Sequence, residues 1–152
     1  MKYVESPDVW ERERSVFLAG GITGCPDWQS DIVRKLSQID LTLFNPRRKN
    51  FPIHDPNAAE FQIKWERDHL EKADAILFWF PSETLCPIVL YELGAWSMTS
   101  KLIFVGMDPN YQRRQDVEIQ TSLVRPNLKI VYSLDDLADQ IIAWKRHDQT
   151  YW

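Results

Sequence analysis

Three short, almost unbroken apolar runs do most to limit what this chain can fold into: Val16-Phe-Leu-Ala19, Ala75-Ile-Leu-Phe-Trp-Phe80 and Lys101-Leu-Ile-Phe-Val-Gly106. Runs of this length without polar alternation are strands covered on both faces, the condition of a parallel sheet between two helical layers. Weaker runs at Leu41-Thr-Leu-Phe44 and Leu128-Lys-Ile-Val131 supply two more strands. Helical spacing fills the gaps at residues 27–39, 58–73, 87–99 and 133–146, the third opening on Pro87 and the last with Ser133 as its N-cap. Segment 108–125 is the hardest to assign. Strands alternating with helices predict one α/β domain over residues 1–152, a flavodoxin-like doubly wound sheet of about five parallel strands. Ligands in such sheets bind beyond the carboxyl ends of the strands, which directs attention to residues 20–28, 45–57 and 81–87.

Bulk properties narrow the function. Hydrophobic residues make up 44% and charged residues 26%, as in ordinary soluble domains. No apolar run approaches the roughly 20 residues of a membrane span. Residues 1–15 are charged and lack the apolar core of a signal peptide. Two cysteines, Cys25 and Cys86, make no disulfide framework, so a reducing cytoplasm is expected and both are read as incidental. A net charge of −4 argues against a nucleic-acid polymer as partner, and the run Arg47-Arg48-Lys49 is too short to reverse that. His54, His69 and His147 are scattered, so no metal site is expected. Seven tryptophans are many for this length. They read as core and interface packing, or as stacking platforms for a flat ligand such as a nucleobase.

Glu92 is the oddest residue. It shares a helical stripe with Ile88, Val89, Ala95, Trp96 and Thr99, where a carboxylate costs several kcal/mol unless compensated. An ionised, partly desolvated carboxylate is what a covalent nucleophile requires. A structural glutamate tied to a tyrosine or backbone amide fits the same spacing. Asp68 is the second candidate. The helix carrying it has Ile63 and Leu70 on one side and Phe61 and Trp65 on the other, and the expectation is that Phe61, Trp65 and Asp68 face a pocket or a neighbour. A salt bridge to Lys72 is the plainer reading. Gly20-Gly21 forms a turn that a ligand can approach, without the spacing of a dinucleotide fingerprint or a P-loop. Asn45 could bond a base or sugar, and Arg47 or Arg48 a phosphate; a solvated turn explains them equally.

Phe17-Leu-Ala-Gly-Gly21, Trp65-Glu-Arg-Asp68, Ala73-Asp-Ala-Ile-Leu77 and Tyr91-Glu-Leu-Gly94 follow one another in an order that resembles the nucleoside 2-deoxyribosyltransferase family and its nucleotide N-hydrolase relatives. The resemblance runs from about residue 16 to residue 137. It implies that Glu92 is the nucleophile and that Asp68 assists base and sugar. It implies substrate contacts at Phe17, Gly20, Gly21, Asn45, Trp65 and Ser82, and an asparagine, here Asn127, that reaches into a neighbour's site. Two departures stand out. Phe17 is near where the transferases carry a tyrosine that bonds the nucleophile, so Tyr91, Tyr132 or Ser82 is expected to orient Glu92. The loop Pro81-Ser-Glu-Thr-Leu-Cys-Pro87 is one residue longer and lacks their aspartate, leaving Ser82, Glu83 or Thr84 to substitute.

The activity implied is a double displacement: Glu92 attacks C1′ of a 2′-deoxynucleoside, the base leaves protonated, and a second free nucleobase attacks the deoxyribosyl-glutamate. No cofactor or metal is required. The rivals are hydrolysis of a 2′-deoxynucleoside 5′-monophosphate and non-catalytic nucleotide binding. The resemblance also implies a homo-oligomer with shared sites, which the nearly all-round apolar helix at 87–99 suits.

Overall fold

The computed structural model of the chain describes residues 1–8 and 14–147. Its elements are β1 (Lys2–Glu5), β2 (Ser15–Gly20), α1 (Trp28–Lys35), β3 (Thr42–Asn45), α2 (Ala58–Lys72), β4 (Ala75–Phe80), α3 (Pro87–Ser97), β5 (Leu102–Met107), α4 (Arg114–Val124) and α5 (Leu134–His147). The five strands form one sheet in the order β1-β3-β2-β4-β5, and every pairing is parallel. This is the expected α/β, flavodoxin-like architecture.

The strands β2 and β4 are buried along their whole length, and their alternate residues feed two cores. Phe17, Ala19, Ile76, Phe78 and Phe80 face α2, α3 and α4. Val16, Leu18, Ala75, Leu77 and Trp79 face α1 and α5. The sheet is thus sealed on both sides, which is why its central strands contain no polar alternation.

Two strand assignments change. The fifth strand is not Leu128–Val131: only Val131 bridges Gly106. Arg125 binds the carbonyls of Ser97, Thr99 and Lys101, and the Gln140 side chain satisfies the Lys129 carbonyl at 3.0 Å. The Gln140 side chain therefore takes up a carbonyl that a strand over 128–131 would have paired. The fifth strand instead comes from the N-terminus, where Lys2–Glu5 pairs with Thr42–Asn45 at the opposite edge. The segment that resisted assignment contains α4.

Local signals set the helix ends. Asp27 caps α1, its carboxylate accepting from the Ser30 amide at 3.2 Å. Ser133 caps α5, its hydroxyl accepting from the Asp136 amide at 3.1 Å. The helix α2 buries Ala58, Gln62, Trp65, His69 and Leu70. Trp65 therefore faces the sheet, while Phe61 and Ile63 are exposed. That corrects the expected face. The buried stripe was obscured because Gln62 and His69, both polar, lie within it.

Candidate functional site

The chain leaves β2 toward β3 on one side and returns to β4 on the other, so a crevice opens where the two connections part. The loop after β2 and the loop after β4 form its lips. Between them lies a cavity of about 350 Å³, lined by Phe17, Gly20, Gly21, Ile22, Thr23, Pro46, Glu66, Thr84, Cys86, Pro87, Ile88, Val89 and Glu92. It is mostly apolar, with two carboxylates.

Glycine is required on the β2 side by crowding. A β-carbon on Gly20 would stand 2.6 Å from the Trp79 carbonyl oxygen, and one on Gly21 would stand 2.8 Å from the Pro81 ring. The Gly21 carbonyl accepts from the Trp28 indole N–H at 2.9 Å and from Gln29 at 3.3 Å. Arg47 then pins the loop itself. Its guanidinium donates to the carbonyls of Ile22, Cys25 and Pro26 and to the Gln29 side chain, and lies 3.4 Å from Asp27. Arg47 is therefore spent on holding a loop and not available as the phosphate ligand considered above. Arg48 lies over the Phe51 ring, outside the cavity lining.

On the other side, Cys86 holds left-handed backbone (φ 51°) as the chain turns into α3, and Pro87 starts the helix. A non-glycine residue in that region is strained, a condition concentrated at working sites. One and a half turns on, Glu92 faces into the cavity beside Val89 and Ile88. Burial, and then the charge of Glu66, push its carboxyl up to about 8. No described residue hydrogen-bonds it. Burial also raises Glu66, against a hydrogen bond from Gln62 at 2.9 Å. The two carboxyls, from α2 and α3, share one poorly solvated space with no described cation in its lining.

The structure gathers some expected site residues and scatters others. Glu92, Phe17, Gly20 and Gly21 line the cavity. Asp68 does not: it is half-exposed and ion-paired to Lys72 at 2.8 Å. Glu66, two residues earlier and thus on nearly the opposite side of α2, is the carboxylate that faces Glu92. Trp65 is buried with its indole stacked on His69 at 4.0 Å and its N–H on the Asp8 carbonyl. Asn45 is buried, donating to the Tyr3 hydroxyl at 2.9 Å and accepting from the Arg47 amide. Ser82 is half-buried and outside the lining, whereas Thr84 is in it. Asn127 is exposed in a groove with Leu102 at the start of β5, the far end of the sheet from Glu92. The proposed orienters of Glu92 are committed elsewhere: Tyr91 points outward, and Tyr132 donates to Glu118.

Glu66 was missed because the polar residues in the buried stripe hid which side of α2 meets the sheet. The visible signal was a glutamate one turn after Gln62 at the margin of that stripe. Among the described residues no group of three or more His, Cys, Asp or Glu is placed to hold a metal ion, and no helix is long and apolar enough to cross a membrane.

Comparison with curated proteins finds no match. The family model described as nucleoside 2-deoxyribosyltransferase like matches residues 13–111, a stretch holding β2 to β5, both lips of the crevice and the carboxylate pair, and the chain belongs to that family.

Proposed function

We propose that the protein exchanges the base of 2′-deoxynucleosides, with Glu92 attacking C1′ to form a deoxyribosyl-glutamate that a second base then resolves. The observation that carries this reading is the pairing of Glu92 with Glu66 in a half-enclosed cavity with no cation among its described lining residues. Cleavage of an N-glycosidic bond develops positive charge at the anomeric carbon, and two facing carboxyls in an apolar enclosure stabilise that charge where water would otherwise screen it. The resting pair holds a proton on Glu92 at neutral pH, while the hydrogen bond that Gln62 donates favours the ionised form of Glu66. Attack requires that proton to leave Glu92 for solvent, and Glu66 is the second carboxylate placed to stabilise the charge that develops at the anomeric carbon. Glu66 thus takes the assisting role that resemblance had assigned to Asp68.

A neutral nucleoside suits the cavity better than a 5′-monophosphate. A phosphate dianion would meet two carboxyls and no described cation in the lining, and four donors of Arg47 already hold the loop after β2. The experiment is base exchange: thymidine with free adenine, and a parallel run without acceptor. Deoxyadenosine formation, lost by at least about a thousandfold in Glu92→Ala, supports the reading. Thymine release without exchange replaces it with hydrolysis. Turnover unchanged in Glu92→Ala removes Glu92 from the chemistry.

The site is proposed to be completed in a homo-oligomer. Ile88, beside the cavity, is 65% exposed, and Tyr91 on the same helix and Met98 just after its end are exposed at 77% and 72%. Asn127 lines a groove with Leu102 at the far end of the sheet from its own Glu92, so the role that resemblance implies for it is proposed for the cavity of a second copy.

A further inference from the structure

The two cysteines are the whole thiol content of the chain, and they meet at the cavity rim on either side of Gly21. A β-carbon built on Gly21 would stand 3.0 Å from the Cys25 sulfur and 3.1 Å from the Cys86 sulfur. Both sulfurs thus face a single point, and the missing side chain of glycine leaves room there for them to approach. Cys25 belongs to the lip after β2, and Cys86 caps α3 on the opposite lip. The S–H contacts are long, 3.6 Å to the carbonyls of Ile22 and Thr84 respectively, and the sulfurs also meet donors, Arg47 at Cys25 and the Gly21 amide at Cys86. The left-handed backbone at Cys86 marks that lip as strained.

We propose that Cys25 and Cys86 are a modification site, forming an intramolecular disulfide that clasps the two lips of the cavity when the protein meets a peroxide. The half-exposed Cys25 thiolate attacks hydrogen peroxide, giving a sulfenic acid and releasing hydroxide, which takes up the thiol proton as water. The Cys86 sulfur then attacks the Cys25 sulfur and expels the oxygen as a second water. Two thiols and one peroxide become one disulfide and two waters; the sulfurs lose two electrons and the peroxide gains them. Burial holds both thiols above their ordinary range, Cys86 at about 11 with Cys25 adding to the shift, so closure is slow beside that of a dedicated redox sensor. A sulfur–sulfur bond of about 2.05 Å draws the lips together over Gly21 and narrows the mouth that leads to Glu92. The disulfide stands independently of the catalytic reading; only its effect on turnover rests on that reading.

The test is intact mass and non-reducing peptide mapping after prolonged exposure to hydrogen peroxide, with circular dichroism to show that each variant is folded. The expected product weighs about 2 Da less, yields one cross-linked peptide joining Cys25 to Cys86, and reverts with dithiothreitol. Neither Cys25→Ser nor Cys86→Ser gives that product. Oxygen adducts on separate cysteines, cross-links between chains, or an unchanged mass would overturn the proposal whether or not the protein turns over a nucleoside. Base exchange by the clasped protein should fall at least about tenfold and recover on reduction, and undiminished exchange would overturn the narrowing of the mouth.

Discussion

At the residue scale the proposed chemistry rests on one carboxyl kept protonated by its surroundings. Burial first, and the charge of Glu66 second, raise Glu92 to about 8, so the ionised form grows as pH rises toward that value. The specificity constant for base exchange should therefore climb about tenfold per pH unit below 8 and flatten above it. A flat profile from about pH 6 to 9 would remove Glu92 ionisation from the rate. Glu66→Gln, lacking the like charge, should move the midpoint down. The same shift bears on stability. A carboxyl raised in the folded state stabilises the fold fully below its unfolded value near 4.5, and that contribution is lost as pH rises through about 8. Glu92→Gln, neutral throughout, should raise Tm by several degrees near pH 8.5 and by much less near pH 5. This scale was also where sequence was least informative. Glu92 was legible from its misfit with an apolar stripe, but Glu66 and Asp68 differ by two positions, and only the orientation of α2 decides which of them meets Glu92.

At the scale of elements the apolar runs were decisive, because only a strand sealed on both faces needs them. The edges were not. Lys2–Glu5 carries a charge at each end and buries only Val4, as an edge strand can, and its pairing with β3 depends on a partner distant in sequence. Leu128–Val131 has the right residues, but only Val131 pairs with β5, and the Lys129 carbonyl is taken by the Gln140 side chain. Crowding at β2 was equally invisible, since a Gly-Gly pair reads as a turn. It has a consequence that thermal unfolding can check. Gly20→Ala forces a β-carbon against the Trp79 carbonyl oxygen and the Trp28 ring, and backbone cannot step aside, so a loss of about 1–3 kcal/mol is expected. Gly94→Ala is the contrast. That helical glycine has no heavy atom within 4 Å of an added β-carbon, and alanine there should gain about 0.4–1 kcal/mol in dilute solution. Equal effects at the two positions would show that the crowding at Gly20 is relieved elsewhere.

At the scale of the whole molecule, α3, its C-cap and α4 present Ile88, Tyr91, Met98, Ile119 and Leu123 to solvent, and large exposed apolar side chains grouped on neighbouring elements mark interaction surfaces. Sedimentation should give a multiple of the 18.0 kDa chain, and Tyr91→Asp should dissociate it; a single-chain mass at tens of micromolar would refute assembly through this face. Charge is distributed with equal consequence. The chain is acidic overall, and its cavity holds Glu66 and Glu92 with no described cation opposite them. Such an enclosure is a receptor for a small ring bearing a fixed positive charge. A pyrrolidine whose ammonium replaces the anomeric carbon, carrying an aryl group in the position of the base, should inhibit at concentrations far below those of a neutral nucleoside. Its grip should tighten as the pair ionises, and should vanish when both glutamates are glutamines.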